Sequence, residues 1–112
     1  MYFEKELEIH KKIFPQATPQ DQLWHLCEEI NEMRETEDDL TGEWADALFV
    51  AISLQRFKHT QFLAELVIRD LYFNYSSETQ NMIYDNLLKV INKVKSRKYY
   101  FINGHYERDK NV

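Results

Sequence analysis

Four carboxylates in the first half of the chain have the types and spacing to bind a divalent metal. Glu29 and Glu32 are three residues apart, and so are Glu43 and Asp46. Side chains three residues apart are neighbours on one face of an α-helix, so each pair forms a two-carboxylate claw. Ligation by oxygen alone favours Mg²⁺, with Mn²⁺ as a substitute, over zinc. The pattern predicts a metal site shared by two helices.

The connection between the two claws is short. It spans residues 36–40, and a loop of this length makes the flanking helices antiparallel neighbours. Counted from this turn at about 1.5 Å per residue, the two claws lie at nearly matching heights. Packed helices are about 8–10 Å apart, and inward-pointing carboxylates can close that gap around an ion held at about 2.0–2.6 Å.

Converging carboxylates repel each other. Two charges about 5 Å apart repel by roughly 3 kcal/mol at an effective dielectric of about 20, and four carboxylates make six pairs. Either protonation or a divalent cation has to relieve this repulsion.

The simpler alternative is a solvated acidic helix face, which is usual for glutamate-rich helices. Solvated faces commonly place a cation four residues from an acid. Here the residue four after Glu28 is Glu32, and the residue four after Asp39 is Glu43. Asp46 also belongs to a segment that is otherwise largely apolar, which predicts that it points into the protein. These features favour the metal site.

The elements that must position these side chains read as helices. The chain has only two glycines and two prolines, and the tail Tyr99–Val112 shows no clear period. The third predicted helix, which carries WADALFVAISL, is apolar nearly all round and should be central and buried. Periodicity and capping residues predict helices over about 3–14, from Thr18 to near Glu35, from Asp39 or Thr41 to about Phe57, from Thr60 through QFLAELVIRDLYF, and from the capping box Ser77–Gln80 onward.

This organisation predicts an all-α fold, a four- to five-helix bundle with the metal site between two antiparallel helices, in a single domain over residues 1–112. No apolar run is long enough to span a bilayer, so we expect a cytoplasmic protein with no membrane partner. The single cysteine, Cys27, shares a helical stripe with Leu26 and Ile30 and is expected in the core. The net charge of −5 argues against nucleic-acid binding.

The pattern Glu28-Glu29-x-x-Glu32 followed by Glu43-x-x-Asp46 resembles the EExxE…ExxD signature of the MazG-like, all-α nucleoside triphosphate pyrophosphohydrolases. Membership would imply Mg²⁺-dependent cleavage of an NTP or dNTP between the α and β phosphates, giving a monophosphate and pyrophosphate. The resemblance implies that Glu29, Glu32, Glu43 and Asp46 are the metal ligands. It also implies catalytic roles for Glu28, which would either support the metal ligands from beside them or help to orient water, and for Glu32.

A polyphosphate substrate also needs cations beyond the metal. Lys89, Asn92 and Lys93 share a face of the last predicted helix, and Arg97 follows with a planar fork suited to phosphate. The resemblance supports Asn92, Lys93 and Arg97 as substrate contacts. A solvated basic helix end, favoured by the helix dipole, is an equally good interpretation of each residue taken singly.

Two other interpretations were weighed. A ferritin-like di-iron bundle needs Glu-x-x-His motifs, and no histidine in the chain follows a glutamate by three residues. A non-catalytic acidic interaction module, such as an antitoxin or a phage decoy that binds a basic protein, remains the alternative function. For the enzyme we expect a small-molecule nucleotide substrate and a homodimer or homotetramer. Aromatic residues such as Trp24, Trp44 and Tyr99 can stack a base, although such residues usually form core or interface.

Overall fold

The computed structural model describes residues 1–37 and 42–109. Within these ranges the chain forms five α-helices, a π-helical turn and one antiparallel hairpin, so the expectation of a mainly helical protein is confirmed. In chain order the elements are α1 Glu4–Ile13, α2 Pro19–Thr36, α3 Gly42–Leu54, α4 Gln61–Ile68, the π-helical turn Arg69–Phe73, α5 Ser77–Ser96, β1 Tyr99–Ile102 and β2 His105–Arg108.

Helix α3 is the centre of the fold, as its apolar sequence predicts. It contacts α1, α2, α4, α5 and the π-helical turn. Every residue from Ala47 to Leu54 is buried except Val50, which is half-buried. The burial of each large side chain in this helix stabilises the fold by about 1.5–3 kcal/mol. The remaining helices are arranged around α3, and α5 turns its apolar stripe inward, with Ile83 and Leu87 fully buried.

The start of α2 follows the predicted capping chemistry. Thr18 caps α2, because its Oγ1 accepts a hydrogen bond from the Asp21 backbone N–H at 3.2 Å, and Pro19 occupies the first helical position. The predicted caps of α3, Asp39 and Thr41, lie outside the described residues.

One predicted helix end and two predicted caps were wrong. Helix α3 ends at Leu54 rather than near Phe57, because the following N–H groups bond three residues back and tighten the chain into turns. Thr60 precedes α4 but does not cap it, since its hydroxyl donates to the Leu54 carbonyl at 2.8 Å. Helix α5 is capped by Ser76, one residue before the predicted capping box. The Ser76 Oγ accepts a hydrogen bond from the Thr79 backbone N–H at 3.3 Å.

Cys27 is exposed, so its predicted place in the core was wrong. On α2 the buried side is formed by Asp21, Gln22 and Leu26, and Cys27 follows Leu26 directly. One residue is about 100° of helical rotation, which is enough to turn the thiol outward.

The hairpin of β1 and β2 was not predicted. Its two-residue turn is Asn103-Gly104, and both residues have positive φ, 52° and 81°. Asn-Gly is the dipeptide best suited to this backbone in a tight hairpin. The Phe14 ring, just after α1, lies 4.7 Å from the Tyr99 ring and 5.0 Å from the Tyr106 ring, measured between centroids. The hairpin thus packs beside the junction of α1 and α2.

None of the helices in the described part of the chain has both the length and the apolar character needed to cross a bilayer.

Candidate metal and phosphate site

A cavity of about 270 Å³ is lined by residues of α1, α2, α3, α5 and the hairpin. Its lining includes two predicted metal ligands, Glu29 and Asp46, and two predicted phosphate-binding cations, Lys93 and Arg97. The fold therefore brings acidic residues from the first half of the chain to the same space as basic residues from near its end.

Glu29 is the most constrained carboxylate of this group. Burial, and then the negative charges of Asp46 and Glu32, raise the pKa of Glu29 to about 8. Its Oε2 atom is buried and has no hydrogen-bond partner among the described residues. A buried oxygen of this kind is unfavourable unless a proton, a donor or a cation compensates it.

Asp46 lies between the acidic and the basic parts of the site. Burial raises the pKa of Asp46, the charges of Glu43 and Glu32 raise it further, and Lys93 and Arg97 oppose this rise. The charges that act on Asp46 thus belong to two other predicted ligands and to two of the four predicted substrate contacts, so these side chains lie near it.

Glu32 is exposed and Glu43 is half-buried, and neither lines the cavity. Both act electrostatically on Asp46, and the side chain of Glu32 hydrogen-bonds with that of Glu29. The four predicted ligands therefore form one electrostatic cluster across α2 and α3. The repulsion expected from their spacing is present in the folded protein.

Among the side chains of residues 1–37 and 42–109, no group of three or more acidic, histidine or cysteine residues already has the arrangement of a metal site. The carboxylates would have to turn toward a common point to hold an ion. The donor set fits Mg²⁺ in two respects. All four donors are carboxylates, and the buried Glu29 Oε2 lacks a hydrogen-bond partner in the described part of the chain.

Glu28 is held beside this cluster by a histidine. His25 lines the cavity, and its Nδ1 lies 3.3 Å from Glu28 Oε1, while its Nε2 lies 3.4 Å from Asp21 Oδ1. Glu28 also contributes to the raised pKa of Glu29. This contact places one Glu28 oxygen 3.3 Å from a residue that lines the cavity.

Helix α5 presents only part of its predicted basic face to the cavity. The exposed Lys93 and the half-buried Arg97 line it, whereas Lys89 and Asn92, which are also exposed, do not. Lys93 lies in the last turn of α5, and Arg97 follows directly after the helix ends at Ser96. The structure therefore separates the four predicted substrate contacts into an inner and an outer pair.

The sequence interpretation missed the inner wall of the cavity. It includes His10 and Gln22, which are 3% and 4% exposed, and aromatic rings of Phe14, Phe49 and Tyr106. The available signal was the helical spacing of Leu7, His10 and Phe14, which places His10 on the apolar side of the first predicted helix. A histidine on an apolar stripe looks like a packing residue until the elements around it are known.

The two tryptophans do not line this cavity. Trp44 donates its indole N–H to the Leu71 carbonyl at 2.8 Å, which joins α3 to the π-helical turn. Trp24 is 59% exposed and borders a separate surface depression beside the hairpin.

Comparisons of the chain with protein-family models, with curated proteins and with solved structures find no match. The case for the metal site therefore depends on the residues and their arrangement.

Proposed function

We propose that this protein is a Mg²⁺-dependent nucleoside triphosphate pyrophosphohydrolase, which cleaves an NTP or dNTP between the α and β phosphates to a monophosphate and pyrophosphate. The observation that carries the proposal is a single cavity lined by Glu29 and Asp46 together with Lys93 and Arg97. Carboxylates that attract a divalent cation and cations that attract phosphate are the two requirements of a site for a metal-bound polyphosphate. The nucleotide class and the position of cleavage come from the EExxE…ExxD resemblance.

In this proposal Glu29, Glu32, Glu43 and Asp46 hold Mg²⁺. When bound, Mg²⁺ neutralises phosphate charge and lowers the pKa of a coordinated water so that hydroxide can attack phosphorus near neutral pH. Glu29 gives up its proton when it becomes a ligand, because its pKa of about 8 keeps it largely protonated at neutral pH in the metal-free protein.

Glu28 and Glu32 are the proposed catalytic carboxylates. Glu28, held by His25, accepts a hydrogen bond from the attacking water and orients it. Glu32 combines this role with metal binding. Its hydrogen bond with protonated Glu29 belongs to the metal-free protein and is given up when both carboxylates become ligands. No nucleophilic side chain is required, since water is the attacking group.

Lys93 and Arg97 hold the polyphosphate and compensate the charge that develops on the leaving pyrophosphate. Arg97 can bind two phosphate oxygens at once with its guanidinium fork, and Lys93 supplies a mobile point charge. Lys89 and Asn92, the outer pair on α5, are the less well supported substrate contacts. They would contact only phosphate groups that extend out of the cavity.

The test is a panel of NTPs and dNTPs incubated with the purified protein, with and without Mg²⁺, and scored for pyrophosphate and monophosphate. We expect cleavage only with Mg²⁺, and no cleavage by Glu43→Gln, which removes a ligand charge and leaves the fold intact as judged by circular dichroism.

The proposal fails if no nucleotide is cleaved and if Mg²⁺ does not raise the melting temperature. The acidic interaction module would then be the better account of the carboxylate cluster. Full activity of Glu43→Gln would instead refute the assignment of that ligand.

A further inference from the structure

The surface depression beside the hairpin adjoins the cavity and has no role in the proposed hydrolysis. Its volume is about 560 Å³, within the roughly 300–1,000 Å³ of small-molecule sites. His25 and Tyr106 line both the depression and the cavity, so the two spaces meet at these side chains. Strand β1 gives one ring to each space, Tyr99 to the cavity and Tyr100 to the depression, because successive strand side chains point to opposite faces. A ligand held in the cavity can therefore extend into the depression.

Two large aromatic side chains of the depression are open to solvent. Trp24 on α2 is 59% exposed and Tyr100 on β1 is 48% exposed. Tryptophan side chains are highly buried in most folded proteins. The other tryptophan, Trp44, is half-buried and bonded to the Leu71 carbonyl. Two exposed rings in one depression indicate a surface that a flat ligand covers by stacking.

The wall shared by the two spaces is held in place. The Tyr106 hydroxyl accepts a hydrogen bond from the Gln16 backbone N–H at 2.7 Å. Both ring nitrogens of His25 lie within 3.4 Å of carboxylate oxygens on α2. The Trp24 ring packs edge to face against His25, with the ring centroids 5.2 Å apart. A ligand that binds beside this wall has little of the protein to reorder, which favours its affinity.

Charge indicates which end of a nucleotide would occupy each space. The cavity presents Lys93 and Arg97, the cations proposed to hold the phosphates. The charged residues that border the depression are Glu107, Asp109 and Arg108, so acids outnumber cations there. A polyphosphate is favoured in the cavity and disfavoured in the depression, whereas an uncharged base suits the depression.

We infer that Trp24 and Tyr100 form a base subsite, in which the base of a nucleotide stacks on their rings while its phosphates lie at Lys93 and Arg97. The inference rests on the proposed function, because it takes the ligand of the cavity to be a nucleotide. It goes beyond that function by assigning a binding site for the base. Since every base has a π-face, stacking of this kind accepts all four bases and adds affinity rather than a choice among them.

The first test compares ligands with and without a base. Binding of AMP, GMP, CMP and UMP, and of ribose 5-phosphate, is measured by calorimetry on the full chain with Mg²⁺. Ribose 5-phosphate has the sugar and the phosphate of these nucleotides and lacks only the base. We expect at least one nucleotide to bind about tenfold or more tightly than ribose 5-phosphate, because stacking adds to the binding of the phosphate.

Substitutions assign this difference to the two rings. Trp24→Leu removes the indole, so the affinity for the nucleotide should fall about fivefold or more, whereas that for ribose 5-phosphate should not change. Tyr100→Leu should act in the same direction. Trp24→Phe keeps an aromatic face and should retain most of the difference. Phe62→Leu is the matched control, because it removes an exposed ring that lines neither space, and it should keep the wild-type ratio.

Equal affinities for ribose 5-phosphate and all four nucleotides, including the absence of binding by any of them, would overturn the inference. So would a wild-type ratio that persists in Trp24→Leu or Tyr100→Leu when circular dichroism shows the variant to be folded. If Trp24→Leu does not fold, Tyr100→Leu decides. A lower molecular mass of Trp24→Leu in light scattering would also overturn the inference, because the ring would then belong to an interface between chains.

Failure of the base subsite is distinguishable from failure of the proposed function. In an active enzyme Trp24→Leu should raise KM with little change in kcat, because the base stacks equally in the ground state and in the transition state. Cleavage of NTPs with an unchanged KM in this variant rejects only the base subsite. Base-dependent binding through Trp24 without cleavage of any NTP rejects only the hydrolase.

Discussion

Glu29 combines two features that are costly in a metal-free protein. Its Oε2 is buried without a partner among the described residues, and its pKa is raised to about 8 by burial and by Asp46 and Glu32. Either feature weakens the fold unless a ligand compensates it. Residues that a fold accommodates at such a cost are concentrated at functional sites, which makes Glu29 the most informative residue to change.

Replacing Glu29 with glutamine should separate metal binding from folding. Glu29→Gln keeps the shape of the side chain but cannot supply a negative ligand. We expect kcat/KM to fall by about 100-fold or more, equivalent to about 2.7 kcal/mol of transition-state stabilisation. Steady-state pyrophosphate release measures this loss of activity. The loss of metal binding is measured by thermal unfolding with and without Mg²⁺, because the rise in melting temperature that Mg²⁺ causes should largely disappear.

Glu35→Gln is the matched control. Glu35 is also on α2 but is exposed and does not line the cavity. This variant should keep both the wild-type activity and the response to Mg²⁺. If Glu29→Gln retains full activity, or if both variants lose it equally, Glu29 is not a metal ligand.

The orientation of α5 distinguishes two of its lysines, and this predicts different outcomes for two identical substitutions. Lys93→Met removes a cation that lines the cavity and acts on Asp46. Lys89→Met removes an exposed cation that does not line the cavity. We expect kcat/KM to fall about tenfold or more for Lys93→Met, because a phosphate contact is lost, and to change less than about twofold for Lys89→Met. Steady-state kinetics at constant ionic strength distinguishes the two, and equal losses would show that the cavity is not the phosphate site.

The helices were the predictable elements, because local periodicity and capping specify them. The Thr18-Pro19 start of α2 and the central burial of α3 followed from residue type alone. The hairpin was missed although its turn, Asn103-Gly104, was visible in the sequence. Its strands are four residues each, too short to show a clear alternation.

The acidic half of the candidate site was predictable for the same local reason, since three-residue spacing places side chains together on one helix. The inner wall was not. His10 and Gln22 line one cavity only because α1 and α2 both pack on α3, and Tyr106 joins this lining from near the other end of the chain. Contacts between residues so distant in sequence leave no local pattern.

At the scale of the whole molecule, the expected homodimer or homotetramer stays a prediction. Several large apolar side chains on α4 are exposed in the single chain, and Phe62 has 74% of its surface accessible. Exposed apolar groups of this size favour association. Light scattering coupled to size exclusion should report two or four times the mass of one chain, and a monomer at all concentrations would contradict the prediction.

The free energy of unfolding should also depend on pH, with separate contributions from Glu29 and His10. Glu29 has a folded-state pKa of about 8 against an ordinary 4.5, so between these values the folded protein keeps a proton that the unfolded chain releases. The free energy of unfolding of the metal-free protein should therefore fall as pH rises through this window, and the raised pKa of Asp46 adds to the fall.

His10 has the opposite effect. Its pKa is about 3 in the folded protein against an ordinary 6.5, so below 6.5 the unfolded chain binds a proton that the folded protein does not. Its contribution to stability is full above pH 6.5 and is lost as pH falls toward 3. Between pH 4.5 and 6.5 the contributions of Glu29 and His10 have opposite slopes, so we expect a broad region of near-constant stability with a decline on either side.

Mg²⁺ should change the stability only on the alkaline side of this pH profile. A divalent cation competes with the proton for Glu29, so its stabilising effect should grow as pH rises from 6.5 to 8 and should offset the alkaline decline. Urea unfolding in EDTA and in Mg²⁺ across this range measures the effect. Glu29→Gln should flatten the alkaline side and His10→Leu the acidic side. If the metal-free protein instead becomes more stable from pH 6.5 to 8, or if Mg²⁺ stabilises it equally at both values, Glu29 is not the group through which protons and metal compete.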